Sequence, residues 1–343
     1  MNMIRPNDSG PRTIVVAGGA GFVGSHLCEN LLQQGHRVIC VDSFLTGTEA
    51  NVEPLSNFAG FRLIRQDVAE PLDPGEPVDE IYNLASPASP PHYQADPVHT
   101  MMTNVVGTAR LLDLASAHEA RFLQASTSEI YGDPEQHPQR EDYLGHVNCT
   151  GTRACYDEGK RAAEALCYDY ARTRGLDVRV ARIFNTYGPR MRPDDGRIVS
   201  NMIVQALAGE PLTVYGTGKQ TRSFCFVSDL VDGLMALMNV SAAPDAPVNL
   251  GNPQEFSIAE LASQVRDLIP SGSQIVHRPL PEDDPKRRRP DISRAKELLG
   301  WSPKVSLDRG LPETASWFAL HLGHGPIPQT NRTSGARAAG ATA

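Results

Sequence analysis

The chain has 343 residues, 40% hydrophobic and 21% charged, which is typical of a globular protein with one large domain or two ordinary ones. A net charge of −8 argues against nucleic-acid binding, and no apolar run approaches the roughly 20 residues that cross a bilayer. The polar first residues argue against a secretory signal, and six scattered cysteines without a CxxC pair favour reduced thiols. We therefore expect a cytoplasmic protein that binds neither nucleic acid nor membranes.

Strand and helix patterns alternate from the beginning of the chain. The run TIVVAGG predicts a strand, SHLCENLLQQG has helical spacing, and RVICVDSF predicts a second strand, all within about 30 residues, the length of one βαβ unit. The alternation continues through FRLIRQDV, VDEIYNLAS, TNVVGTARLLDLASAHEA and RFLQASTSEIYG, then a helix near 155–174 and the strand LDVRVARIFNTYGP. This order predicts an α/β fold with a Rossmann-type, doubly wound parallel sheet.

The composition of the sequence changes after about residue 188, where Pro- and Gly-rich connections and short predicted strands such as LTVY begin. We expect a nucleotide-binding domain over residues 11–187, with 223–252 returning to it. Residues 188–222 and 253–322 then form a smaller C-terminal α/β substrate lobe. The small and polar residues of 323–343 predict a disordered tail.

A glycine-rich turn lies between the first predicted strand and helix. GGAGFVG places Gly18, Gly21 and Gly24 in a GxxGxxG spacing, which lets the backbone approach a pyrophosphate at the helix N-terminus. Asp42 follows about 20 residues later, where an acid holds a ribose diol and repels a 2′-phosphate, so NAD is favoured over NADP. Asp67, after the next strand, fits an adenine-side contact. A turn or cap role is the alternative for both aspartates.

The predicted cofactor-binding set is wider than this motif. It comprises Gly18, Gly21, Phe22, Val23, Gly24, Asp42, Ser43, Phe44, Thr46, Gly47, Asp67, Val68, Leu84, Ser86, Thr103, Tyr156 and Lys160. The histidines at 92, 99, 137 and 146 have no helical metal-ligand spacing, so no metal is expected.

The stretch RACYDEGK places Tyr156 and Lys160 four residues apart, on one face of a predicted helix. Most such pairs are solvated surface residues. Downstream of GxxGxxG, and of STSE at the end of a predicted strand, the pair resembles the catalytic tyrosine and lysine of the short-chain dehydrogenase/reductase superfamily. We predict that the ammonium lowers the pKa of the phenol. Tyr156 would then take the proton from a sugar hydroxyl while hydride leaves the same carbon.

Longer stretches between about residues 13 and 318 resemble the extended branch of that superfamily, and most of all the UDP-glucuronic acid decarboxylases. They include LASPASPPHY, ASTSEIYGDP, GHVN, VRVARIFNTYGPRM, DGRIVSN and QALAGEPLTVYGTGKQTR, with RACYDEGKR the most specific. The resemblance implies NAD-dependent conversion of UDP-glucuronate to UDP-xylose through a 4-keto intermediate, with NAD regenerated. It also implies a homodimer that pairs through helices near 100–118 and 155–174. The alternatives are a UDP-sugar 4-epimerase, a 4,6-dehydratase, or a non-catalytic NAD-sensing protein.

The resemblance also implies roles for the residues of STSE. Thr127 would hydrogen-bond O4 of the sugar. Glu129 would face the ring, direct the chemistry at C5 and C6, and weaken ground-state binding by repelling the substrate carboxylate. Ser128 stands where the dehydratases have an aspartate that protonates a leaving hydroxyl, which argues against dehydration.

Substrate contacts are implied further along the chain. Asn185, Arg197 and Arg222 fit the diphosphate or uridine, and Tyr215 fits a contact with uracil. Arg288, in KRRRP, would bind the substrate carboxylate, with plain surface charge as the alternative. Met102 stands where the family usually has a lysine, which predicts the loss of a cation near the cofactor and sugar.

Overall fold

A computed structural model describes residues 10–279 and 287–327. The strands, in chain order, are β1 (Thr13–Ala17), β2 (Arg37–Asp42), β3 (Phe61–Arg65), β4 (Glu80–Asn83), β5 (Arg121–Thr127), β6 (Val178–Ile183), β7 (Thr186–Tyr187), β8 (Leu212–Tyr215), β9 (Thr221–Ser223), β10 (Cys225–Phe226), β11 (Val248–Leu250), β12 (Glu255–Ser257), β13 (Ile275–Arg278) and β14 (Arg287–Arg288). The helices are α1 (Phe22–Gln33), α2 (Glu49–Val52), α3 (Pro90–Ala95), α4 (Pro97–Met102), α5 (Thr108–His118), α6 (Ala154–Arg174), α7 (Ile198–Leu207), α8 (Val227–Asn239), α9 (Ile258–Leu268), α10 (Ser293–Leu299) and α11 (Leu307–His321). A π-helical turn, Thr103–Gly107, joins α4 to α5, and 3-10 turns span Glu53–Asn57 and Ser128–Tyr131.

Seven parallel strands form the main sheet, in the order β11–β6–β5–β4–β1–β2–β3. The strand order reverses between β1 and β4, and ligands of open α/β sheets bind outside the carboxyl ends of the strands at such a point. The predicted doubly wound parallel sheet is therefore confirmed. The edge strand β11 pairs with β6, so the chain returns to this sheet after β8 to β10.

The main sheet is covered on both faces, as all-parallel sheets require. Every residue of β1 is buried. Ile14 and Val16 belong to one hydrophobic cluster, whereas Val15 and Ala17 belong to another. Alternate residues of a strand point to opposite faces, so the two clusters lie on the two sides of the sheet.

Helix α6 packs closely against the turn between α4 and α5. A Cβ added at Gly159 would lie 3.0 Å from the Cβ of Asn104, so the contact leaves little space for a side chain. The side-chain amide of Asn104 donates to the carbonyl oxygen of Thr100, one turn earlier in the same segment. The backbone of α6 at Gly159 therefore lies directly against the Asn104 side chain of this turn.

Short strands form the remainder of the structure. β9 pairs with β12 and β14, and β8 pairs with β13. Helix α9 begins with a capping box, in which Ser257 and Glu260 exchange hydrogen bonds, and this satisfies backbone groups of the first turn. Pairing of β14 with β9 sets Arg288 beside Arg222.

Two predictions extend beyond the described residues. Lys286 of KRRRP and residues 328–343 of the predicted tail lie outside the ranges given above. Within 10–279 and 287–327, no helix has both the length and the apolar character that crossing a bilayer demands.

Candidate active site

A cavity of about 610 Å³ opens beside the carboxyl ends of the central strands. It is lined by residues from both parts of the structure, and it brings together every residue predicted for catalysis or substrate binding. These are Thr127, Ser128, Glu129, Tyr156, Lys160, Asn185, Arg197, Tyr215, Arg222 and Arg288. In the described ranges, no group of three or more His, Cys, Asp or Glu side chains is arranged to hold a metal ion.

The glycine-rich turn forms one end of this cavity. A Cβ at Gly24 would lie 2.1 Å from the carbonyl oxygen of Gly18, so the start of α1 can approach the turn only without a side chain. Gly18 itself has φ of +77°, a conformation that favours glycine. Gly21, Phe22, Val23, Thr46, Leu84 and Ser86 also line this end. The turn and helix N-terminus thus form the cradle that a pyrophosphate requires.

A smaller, adjoining cavity of about 70 Å³ continues from the glycine-rich turn. Its lining includes Asp42, Ser43, Asp67, Val68 and Thr103 from the predicted cofactor set. The carboxylate of Asp42 accepts hydrogen bonds from the backbone N–H groups of Ala20 (2.9 Å) and Phe44 (2.8 Å). Asp42 therefore fixes the loop after β2 and also faces the cavity.

Among the described residues, two of the predicted cofactor-binding set, Phe44 and Gly47, do not face either cavity. The Phe44 ring contacts the guanidinium of Arg65, at 4.1 Å, and a Cβ at Gly47 would lie 2.8 Å from an oxygen of Asp42. These two residues shape the loop that positions Asp42. The carboxylate of Asp67 pairs with Nε2 of His99 at 2.7 Å.

Tyr156 and Lys160 lie on the cavity side of α6, and both are nearly fully buried. The Tyr156 ring stacks on that of Tyr93, with centroids 5.2 Å apart and planes 5° apart. The Lys160 ammonium donates to the carbonyl oxygen of Ala125, at 3.0 Å, and lies 5.9 Å from the centre of the Tyr156 ring. Stacking and this hydrogen bond hold the two side chains in place.

The prediction that Lys160 lowers the pKa of Tyr156 is wrong for this arrangement. Burial raises the pKa of Tyr156 to about 12, although the nearby Thr127 hydroxyl opposes the rise. Burial also lowers the pKa of Lys160 to about 8, because the ammonium has left water. The ammonium bonds to a backbone carbonyl and not to the phenol, so its effect on the phenol is weak.

Glu129 is the centre of a buried ionic cluster at the sugar end of the cavity. Arg288 forms two parallel bonds to its carboxylate, Nη1 to Oε1 at 2.6 Å and Nη2 to Oε2 at 3.0 Å. Arg153 donates a third bond to Oε2. Burial would raise the pKa of Glu129, but the two guanidinium groups lower it below its usual range. Glu129 is therefore a carboxylate at neutral pH.

This cluster bears on two expectations. Glu129 was expected to repel a substrate carboxylate; two arginines balance its charge in this structure, which would weaken the repulsion, and the repulsion itself stays a prediction. Arg288 is 7% exposed and therefore is not surface charge. Its predicted contact with a substrate carboxylate stays a prediction, and the carboxylate would have to share a guanidinium that already binds Glu129.

The other predicted substrate residues extend from the cluster toward the second lobe. Asn185 Oδ1 lies 3.5 Å from Nη1 of Arg288. Arg197 is held by both oxygens of Asp195, with Nε–Oδ1 at 2.5 Å and Nη2–Oδ2 at 2.7 Å. Arg222 Nη1 donates to the backbone of Thr221, and Tyr215 is 41% exposed at the cavity rim. The structure places these groups along one wall, and their individual roles stay predictions.

Sequence reasoning missed several side chains that line the cavity, including the aromatic ring of Tyr93 and the guanidinium groups of Arg153 and Arg190. Arg153 belongs to the same RACYDEGK stretch as Tyr156, so its proximity in sequence was an available signal. Nη1 of Arg190 is buried without a hydrogen-bond partner among the described residues, so this guanidinium can still accept an anionic ligand. Tyr93 and Arg190 lie in LASPASPPHY and VRVARIFNTYGPRM, two stretches that carry the family resemblance, but no motif assigned a role to either residue.

Met102 lies away from the site. Its side chain is 46% exposed on α4, and among the described residues it is not part of the lining of either cavity. The adjacent Thr103 does line the smaller cavity, and the loss of a cation near the cofactor and sugar stays a prediction.

The profile of the NAD dependent epimerase/dehydratase family matches residues 14–251, the stretch from the first strand to the returning edge strand. The chain belongs to this family. Its cofactor is therefore NAD, as predicted, and the glycine-rich turn, Asp42 and the cationic Arg190 fit an anionic dinucleotide. The resemblance to the extended short-chain dehydrogenases/reductases is confirmed.

Individual family members narrow the comparison. The chain is 56% identical over 313 residues to UDP-glucuronic acid decarboxylase 1 of Xenopus tropicalis, covering 91% of this chain and 73% of that protein. It is 59% identical over 299 residues to UDP-glucuronic acid decarboxylase 4 of Arabidopsis thaliana, covering 87% and 67%. Among solved structures, UDP-glucuronic acid 4-epimerase of Bacillus cereus, in complex with UDP-glucuronic acid and NAD, matches with a TM-score of 0.82. That match has 29% identity and covers 90% of this chain and 99% of the epimerase.

Proposed function

We propose that this family member decarboxylates UDP-glucuronate to UDP-xylose. The observation that carries the proposal is the cluster of Arg153 and Arg288 on Glu129, beside the stacked Tyr156. Two guanidinium groups at the sugar end of the cavity offer a site for the carboxylate that distinguishes a uronic acid from a neutral sugar. The curated relatives at 56% and 59% identity carry the same activity in their names.

The first step is oxidation at C4. Tyr156 and Thr127 lie together at the end of β5, where their hydroxyl groups bind and orient O4. Tyr156 receives the O4 proton as the phenolate, so this step requires a positive charge that offsets the effect of burial, which raises the pKa of the phenol. NAD, when bound, supplies such a charge and the acceptor for the C4 hydride, and later returns that hydride to C4. The Lys160 ammonium donates to the Ala125 carbonyl, and this bond fixes the ammonium beside β5. The same bond fixes the directions of its other N–H groups.

Loss of CO₂ follows from the ketone. A C6 carboxylate β to a C4 ketone releases neutral CO₂, and the electron pair of the C5–C6 bond passes into an enolate. C5 then takes a proton. Ser128 has no acidic proton to offer a leaving hydroxyl, which favours decarboxylation over dehydration. Glu129, held as a carboxylate by two arginines, stays ionised through these steps.

UDP-glucuronate labelled with ¹³C at C6 tests the assignment. A decarboxylase releases the label as ¹³CO₂ and forms UDP-xylose, both visible by NMR. A 4-epimerase retains the label in a UDP-uronate. A 4,6-dehydratase leaves UDP-glucuronate without loss of water, because its C6 carbon has no hydroxyl to eliminate, and instead converts UDP-glucose to a product lighter by one water. Retention of the label in the sugar, with turnover, would contradict the proposal.

We also propose that the protein is a cytoplasmic homodimer. Val98 and Met102 are 71% and 46% exposed and lie one turn apart on α4, so they offer apolar contacts beside α6 for a second copy. All six cysteines lie within the described ranges and carry free thiols, which suits a reducing compartment. Light scattering measures the mass in solution, and cell fractionation tests the compartment. A monomer at micromolar concentration, or a periplasmic location, would overturn these two points.

A further inference from the structure

Asp157 is a buried carboxylic acid that none of the steps above uses. It follows Tyr156 on α6, and only 7% of its surface is exposed. Its Oδ1 atom has no hydrogen-bond partner among the described residues. An acid in the first turn of a helix is usually exposed, where it interacts with the helix dipole. A buried oxygen without a partner destabilises the fold, so a role in the reaction would account for this residue.

The groups that face Asp157 belong to the ionic cluster and its neighbours. They are Glu129 next to β5, Arg288 on β14, Arg153 and Glu158 at the start of α6, the phenols of Tyr93 and Tyr156, and the thiol of Cys155. Burial first, and then the charge of Glu129, raise the pKa of Asp157 to about 7, against the opposing effect of Arg153 and Arg288. Asp157 therefore changes its charge near neutral pH.

Binding of a substrate carboxylate would change the charge balance of the cluster. Arg153 and Arg288 supply two positive charges, and Glu129 and an ionised Asp157 supply two negative charges. A substrate carboxylate adds a third negative charge to a buried site, where an unbalanced charge is strongly disfavoured. One proton on Asp157 restores the balance.

We infer that Asp157 takes up one proton when the C6 carboxylate of UDP-glucuronate binds and gives it up when C5 is protonated. The inference rests on the proposed function. Asp157 is not among the described residues that line the large cavity, so it does not touch the sugar and exchanges its proton through a neighbour. Tyr93 does line the cavity, and its hydroxyl is buried without a partner among the described residues, so it can pass the proton on.

The atoms and charges of this cycle balance. Binding consumes one proton from water and forms the O–H bond of Asp157. The C5–C6 bond breaks, CO₂ leaves neutral, and the negative charge moves to the enolate. Formation of the C5–H bond removes that charge, the O–H bond of Asp157 breaks, and the cluster returns to its resting state. The single proton that decarboxylation consumes therefore enters at binding and not at the C5 step.

Calorimetric titration tests the inference in a Tyr156→Phe background, where turnover is blocked. Binding of UDP-glucuronate is measured near pH 8 in buffers of different ionisation enthalpy, which gives the number of protons taken up. We expect close to one proton for UDP-glucuronate and close to none for UDP-glucose, which lacks the carboxylate. We also expect the Kd of UDP-glucuronate to increase about tenfold per pH unit above the pKa of Asp157.

Asp157→Asn, in the same background, is the matched variant because asparagine has the shape of the protonated acid. It should bind UDP-glucuronate without proton uptake, with a Kd that stays flat from about pH 7 to 9. Uptake that persists in this variant, or equal uptake with both sugars, would overturn the inference. If the variant does not fold, the comparison of the two sugars on the protein with intact Asp157 still decides.

The outcome is separable from that of the proposed function. Release of ¹³CO₂ from labelled UDP-glucuronate without proton uptake on binding would leave the decarboxylase assignment standing and reject the role of Asp157. Retention of the label would reject the decarboxylase assignment, whatever the titration shows.

Discussion

Replacement of Arg288 by alanine removes two of the three bonds that hold the Glu129 carboxylate. Arg153 stays, so Glu129 keeps one partner and the cluster loses one positive charge. If Arg288 also binds the substrate carboxylate, the variant should bind UDP-glucuronate more weakly and UDP-glucose almost as well as the wild type does. Only UDP-glucuronate has a negative charge at C6.

The expected size follows from the burial of the guanidinium. Arg288 is 7% exposed and forms hydrogen bonds of 2.6 and 3.0 Å, so it is a desolvated, charge-assisted donor. Such a bond contributes about 1.5–3 kcal/mol, which corresponds to a roughly 10- to 100-fold increase in Kd. Arg288→Lys should recover only part of this, because an ammonium cannot make the planar two-point contact.

The assay is a titration of each variant with both sugars in the Tyr156→Phe background. Arg197→Ala is the control, because Arg197 is predicted to contact the nucleotide that both ligands share, and it should weaken both equally. If Arg288→Ala also weakens both sugars equally, Arg288 serves the nucleotide or the fold. The carboxylate site must then be built from Arg153 or another cation.

Three further changes test other parts of the site. Tyr156→Phe should abolish turnover and leave NAD bound, since the ring still stacks on Tyr93; normal activity, or a 4-keto product detected by mass spectrometry, would contradict its role. Asp42→Ala should lose NAD during gel filtration and should reduce the protein's preference for NAD over NADP. An unchanged cofactor content would mean that Asp42 only stabilises its loop. Burial lowers the pKa of Lys160 from 10.5 to about 8, so between these values the unfolded chain binds more protons than the folded protein. Stability should therefore increase between about pH 8 and 10 more in wild type than in Lys160→Met, and equal slopes in urea unfolding would refute this.

The fold was predictable because its signals are local. Val- and Ile-rich runs buried on both faces, separated by amphipathic helices, indicated the parallel sheet, and GxxGxxG located its nucleotide end. The catalytic and substrate residues of the cavity were also predictable, from motifs at strand ends and from the family resemblance, whereas Tyr93, Arg153 and Arg190 were missed. What could not be predicted is how charges combine across the chain. Arg288 is 159 residues from Glu129, and the pairing of β14 with β9, together with the bridge between Gln139 and Pro290, holds its segment at the cavity.

The pKa of Tyr156 and the exposure of Met102 were unpredictable for a common reason. A lysine four residues from a tyrosine implied a direct electrostatic effect, but helical spacing does not say which acceptor the ammonium will find. Here that acceptor is the Ala125 carbonyl. The exposure of Met102 likewise depends on how α4 is rotated, which a single substitution in a familiar stretch does not reveal.

Within the RACYDEGK stretch, Tyr156 and Lys160 supply chemical groups to the site, whereas Gly159 matters because it has no side chain. A methyl group there would press on the Asn104 side chain, and either that side chain or α6 would have to give by a few tenths of an ångström. Tyr156 and Lys160 are on that helix, so if α6 gives, both move together relative to Thr127 and the glycine-rich turn, which are on the sheet. Geometry of a few tenths of an ångström matters for proton and hydride transfer. Gly159 therefore keeps α6 close to the turn that carries Asn104. We expect a substitution at Gly159 to lower activity although it changes no residue that contacts the sugar.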